Sequence, residues 1–146
     1  MDIASFFAFL QKSYMNMLLF GVAVASGAML LWPLVGRLIG ATVPHVGLNE
    51  AVRLINRRDA LVIDVRDAGE YAAGHIAKSR HIPAAELNGR VAELDKFKGR
   101  PVLVSCQAGT RAQRACAALS KAGFKEVFVL EGGIAAWQQA GMPLEK

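Results

Sequence analysis

The sequence predicts an α/β domain with a central parallel sheet covered on both faces, preceded by one transmembrane helix. Three observations lead there. Met17 to Gly36 is a twenty-residue stretch without a charge. Beyond Pro44, short β-rich runs alternate with helical stretches, the order that builds a parallel sheet. Two of those runs, Leu61 to Val65 and Val102 to Cys106, are nearly continuous in apolar residues, as strands buried on both faces are.

The chain has 146 residues, room for one domain of roughly 100 residues and an appendage. A second catalytic domain is not expected. Apolar residues make up 53% against 20% charged, which points to one concentrated apolar segment. The first 44 residues hold only Asp2, Lys12 and Arg37, whereas the remaining 102 hold fifteen Lys and Arg against eleven Asp and Glu. That balance suits anionic ligands or an anionic membrane face. The basic residues are not interleaved with aromatics as in a nucleic-acid stripe, so no nucleic-acid partner is expected. Cys106 and Cys116 form no CxxC or Cys/His cluster of metal spacing, and the sequence requires neither a metal nor another cofactor. Two cysteines so close together suggest a reducing compartment.

A helix over 17–36 would rise about 30 Å, the thickness of a bilayer core. Tyr14 and Trp32 lie where amphipathic rings favour the interface, and Lys12 and Arg37 bracket the stretch. Pro33 falls in the last turn, where a kink costs little. Ala23 and Ala25 resemble a signal-peptide cleavage site, but the apolar run continues well past them, which favours an anchor. Residues 1–16 carry Ile3, Phe6, Phe7 and Leu10 at helical spacing, consistent with a segment on the membrane surface or with an extension of the helix. A linker follows at 37–44, and the domain occupies 45–146. Arg37, Arg53, Arg57 and Arg58 outnumber Lys12 and the amino terminus, placing the domain on the cytoplasmic side of the inner membrane.

Leu48 to Asn56 reads as a helix with Leu48, Val52 and Ile55 on one side, and Val127 to Leu130 as a third strand. Shorter elements at Ala68 to Ala73, Arg80 to Ile82 and Glu86 to Phe97 fill the connections. A helix over Gly133 to Gln139, with Trp137 in the core, closes the chain. Between the second and third strand runs lies the best specified helix. Thr110 and Gln113 form a capping-box pattern at its start; Gly123 is a natural C′ residue, and Leu119 and Phe124 occupy the positions that touch in a Schellman cap. Ala112, Ala115, Cys116, Leu119 and Ala122 form one apolar stripe, which makes Cys116 a core residue rather than a resolving thiol.

Cys106 ends a buried strand, and Gln107, Ala108, Gly109, Thr110 and Arg111 turn the chain directly into that helix. Ligands in open α/β sheets bind at this carboxyl edge. Loop N–H groups, a helix N-terminus and a guanidinium each favour thiolate over thiol, so Cys106 is the candidate nucleophile. Gly109 leaves the backbone free to curl around the sulfur. Asp64 and Arg66, at the end of a neighbouring strand, are a candidate pocket wall, although Arg66 and Glu70 also have the spacing of a local salt bridge. His75 reads as a hydrogen-bonded corner rather than a general base.

These residues together resemble a single-domain rhodanese, a thiol sulfurtransferase. The resemblance covers about residues 45 to 144. It is carried by Asp64-Val65-Arg66, Glu70-Tyr71, Gly74-His75-Ile76, His81-Ile82-Pro83, the loop CQAGTR, Gly123-Phe124, a later Gly132-Gly133 and Trp137. Lys78 departs from it, standing where many relatives have a small residue. The resemblance implies a rhodanese-like three-layer domain and a two-step reaction. The Cys106 thiolate takes sulfur from a small anionic donor such as thiosulfate, then passes it from a persulfide to a thiol or cyanide acceptor. It also implies that the loop amides from Gln107 to Arg111, with the Arg111 charge, hold the anion. A cysteine phosphatase also uses a thiolate and an arginine, but with five residues between them rather than the four here. A membrane-tethered scaffold or binding module with the same fold and little catalysis is the alternative of a different class.

Overall fold

The computed structural model describes residues 2–38 and 42–146, with the side chains of 33–38 excepted. The expected linker therefore falls partly outside the described residues, as do the side chains of Pro33 and Arg37. The chain divides into two compact units, Met1–Ala41 and Thr42–Lys146.

The first unit is one helix, α1 (Ile3–Leu38), of 36 residues. It is continuous through residue 17, so its start is three residues into the chain. Its apolar window is Ile3–Trp32, with mean hydropathy 1.8 and no residue of it buried. At 1.5 Å per residue α1 rises about 54 Å, more than a bilayer core requires. A helix of this kind fits a membrane span and equally an amino-terminal signal sequence.

In the second unit the elements are β1 (His45–Val46), α2 (Leu48–Arg58), β2 (Leu61–Asp64), α3 (Ala68–Ala73), β3 (Arg80–His81), α4 (Leu87–Arg90) running into a 3-10 turn (Val91–Phe97), β4 (Val102–Ser105), α5 (Thr110–Lys121), β5 (Val127–Leu130) and α6 (Gly133–Gln139). All strand pairs are parallel, in the order β1-β5-β4-β2-β3. Period-two alternation divides the apolar strand residues between two cores. Leu61, Ile63, Val102, Val104, Val127 and Val129 pack with α5 and the α4 region. Val62, Leu103 and Leu130 pack with Leu54 of α2 and Ile134 and Trp137 of α6. The result is the three-layer α/β architecture read from the strand pattern.

Two local expectations change. In α2 the buried centre is Ala51 and Leu54, and Leu48, Val52 and Ile55 flank it half-buried. At α5 the N-cap is Gly109 rather than Thr110, with no side-chain cap bond, so the capping-box pattern is not used. The other end of α5 follows the sequence pattern: Phe124 N–H donates to Leu119 O at 3.2 Å and Gly123 N–H to Ser120 O at 3.1 Å, the two bonds of a Schellman motif.

After β2 the chain moves toward one edge of the sheet, to β3, and after β4 toward the other, to β5. The carboxyl ends of β2 and β4 thus flank a topological switch point, where open α/β sheets bind ligands. Cys106 follows β4 directly, and Val65 follows β2.

Candidate active site

Residues 102, 104 and 106 share one face of the sheet, so strand alternation alone aims the Cys106 side chain into the α5 layer. Cys106 is buried, 1% exposed. Among the described residues its Sγ receives one hydrogen bond, from Gly109 N–H at 2.9 Å. Gly109 has φ 110, a region that glycine enters without strain. A Cβ there would meet nothing within 4 Å, so dihedral freedom, not space near the sulfur, is why glycine is needed.

The floor of the loop is made by a segment on which the sequence pattern alone conferred no role. At the start of α6, Ile134 N–H donates to Cys106 O at 2.9 Å and Ala135 N–H to Gln107 O at 3.2 Å. The orphan amides of a helix N-terminus thus hold the first two loop carbonyls away from the sulfur side. The contact is close enough that a Cβ on Gly133 would collide with Cys106 O and stand 2.7 Å from Gln107 O. Gly133 also has φ 58, and Gly132 before it φ 69.

Arg111 directs its two terminal nitrogens to Glu70, at 2.8 and 2.9 Å, with Asp67 at 3.7 Å. The expected Arg66–Glu70 bridge is therefore not formed. Glu70 Oε2 also accepts from the Asp67 N–H at the start of α3, at 3.0 Å, so one carboxylate joins α3 to the cysteine loop. The Arg111 bond, then the Asp67 amide, lower the Glu70 carboxyl to about 2 against opposing desolvation. A lowered folded-state value means stability present above the ordinary pKa of about 4.5 and lost as pH falls toward 2. With Glu70 a third exposed the effect is modest. The melting-temperature gap between wild type and Glu70→Gln is expected to narrow from about pH 6 to about pH 3, as thermal melts at both would register.

Asp64 and Arg66, the candidate pocket wall, are instead buried, 0% and 3% exposed. Arg66 donates to both Asp64 oxygens, the shortest contact being 2.7 Å, and to Gly74 O at 2.7 Å. The pair braces the Gly74 turn. Removing one partner strands a buried charge, so Asp64→Ala is expected to cost about 3–5 kcal/mol in chemical denaturation. His75 is the corner expected of it: Nδ1 donates to Tyr71 O at 3.0 Å, and its backbone pairs with Glu145. Tyr71 stacks between His75 and His81, with ring centroids at 3.8 and 4.5 Å. Cys116 is fully buried, and burial, with a smaller contribution from nearby Cys106, pushes its thiol up to about 12. Along the Arg111 side runs a groove of about 300 Å³ lined by Ala84, Ala85, Leu87, Asn88, Arg111 and Arg114, among others.

A cysteine nested at the switch point of a parallel three-layer sheet, with two short helices pinning its loop, defines a thiol-centred α/β domain. Over residues 48–140 the sequence matches the rhodanese-like domain family. Similar curated proteins are the Uncharacterized protein YibN of Escherichia coli strain K12, 44% identical over 96 residues, 65% of this chain and 67% of that one, and the thiosulfate sulfurtransferase GlpE of Coxiella burnetii, 40% identical over 89 residues, 61% of this chain and 81% of that one. Among solved structures, a rhodanese-related protein from Thermoplasma volcanium aligns with TM-score 0.61 at 30% identity, covering 70% of this chain and 97% of that one. The chain belongs to the rhodanese-like family and is a rhodanese-type sulfurtransferase.

Proposed function

We propose that the protein is anchored in the inner membrane by α1 and forms a persulfide on Cys106, taking sulfur from a donor such as thiosulfate and passing it to a thiophilic acceptor. The Cys106 thiolate attacks the outer sulfur of thiosulfate; the sulfur–sulfur bond breaks and sulfite leaves with the electron pair. A thiol or cyanide then attacks the terminal sulfur, and the thiolate leaves. The observation that carries this reading is the loop itself: Sγ accepts from the Gly109 amide, while α6 holds the Cys106 and Gln107 carbonyls away. Gln107, Ala108, Thr110 and Arg111 complete the proposed cradle for the sulfur anion. Arg111 has a revised role. With its charge shared by Glu70 and Asp67, it clamps the loop more than it attracts an anionic donor.

Thiocyanate production from thiosulfate and cyanide by the full-length protein tests this. A rate above background supports the assignment, and no turnover with thiosulfate or with a glutathione persulfide donor refutes it. One observation favours the scaffold reading, the near-complete burial of Cys106. If a Cys106→Ser strain behaves as wild type while a deletion strain does not, the scaffold reading prevails.

A further inference from the structure

The charges of residues 45–146 are sorted between the two ends of the sheet. At the amino-terminal end lie the starts of all five strands, the last turns of α2 and α5, and the segments leading into β3, β4 and β5. Arg57, Lys78, Arg80, Lys96, Lys121 and Lys125 are exposed there and have no ion-pair partner among the described residues. Three further cations at this end, Arg58, Lys98 and Arg100, are matched one to one by Glu126, Asp95 and Asp59. Even with Glu93 near Arg80 and Glu145 beside His75 counted at this end, its cations outnumber its carboxylates, in a domain that has fifteen cations against eleven anions over 45–146.

The cations are also packed together. Arg80, Lys96 and Arg100 stand 5.3, 5.1 and 5.3 Å from the centre of one ring, that of Phe97. Arg100 is matched by Asp59 and Arg80 has Glu93 nearby, but Lys96 and the other unpaired cations of this end add to a positive field that an anionic surface would relieve. The chain enters the domain at this same end: β1 begins at His45, and residues 39–44 are all that join it to α1.

We propose that the amino-terminal edge of the sheet, centred on Phe97 and its cations, is a docking surface for anionic phospholipid headgroups, which turns the cysteine loop toward the aqueous phase. The proposal rests on the membrane anchoring proposed above. A basic side chain near an anionic bilayer gains about fivefold in occupancy, and the gain fades with salt.

The test is lysine acetylation of the full-length chain in nanodiscs of phosphatidylcholine alone or with phosphatidylglycerol, read by mass spectrometry. In the anionic discs at low salt, Lys78, Lys96, Lys121 and Lys125 are expected to react about fivefold more slowly, and high salt is expected to restore them. Equal rates in the two kinds of disc, in particles that co-elute with lipid, overturn the docking surface and leave the anchor standing. Failure to co-elute with lipid overturns both.

Discussion

A Cys106→Ser protein is expected to fold as wild type does and to form thiocyanate only at the uncatalysed rate. The serine hydroxyl can still accept from the Gly109 amide, so the loop keeps its one bond to this side chain. An alcohol of ordinary acidity cannot act as the sulfur nucleophile or leave as a thiolate, so both half-reactions lose their central atom. Cys116 offers no substitute, because burial holds it as a thiol with its Sγ donating to Phe128 O. Steady-state assays paired with thermal melts check this. Residual turnover in the serine variant would move the chemistry elsewhere.

Gly133→Ala is expected to abolish turnover while leaving the thiol in place. The added carbon collides with Cys106 O, and the position has φ 58, so packing and dihedral strain add. About 3 kcal/mol or more of stability should be lost. If the chain relaxes by moving α6 away, the Ile134 and Ala135 amides release the loop carbonyls, and the cradle opens. Denaturation midpoints and thiocyanate rates are the readouts. Gly109→Ala makes the contrast: with nothing within 4 Å of the new carbon, it carries the dihedral strain of φ 110 without a steric collision.

What the residues disclosed in advance was whatever depends on local pattern. The apolar runs of β2 and β4 locate the sheet, and Gly123 with Leu119 and Phe124 ends α5 as written. Cys106 was legible because strand, turn and helix meet there within six positions. What escaped depends on partners far along the chain. Glu70 lies four residues from Arg66 but pairs with Arg111, 41 residues away, because Asp64, two residues back, holds Arg66 in the core. Gly132 and Gly133 carried only a family resemblance until α6 was brought against the loop. β1, two residues long, is too short for any periodicity to register, and exists as a strand because β5 pairs with it.

Whether Cys106, in this loop, carries transferable sulfur decides what the domain does. The most direct measurement is peptide mass spectrometry of the purified full-length protein after thiosulfate treatment, with thiols trapped before digestion. One extra sulfur on the peptide holding Cys106, discharged by cyanide and absent from the Cys116 peptide, is the predicted result. An unmodified Cys106 under conditions that load a known thiosulfate sulfurtransferase would contradict it.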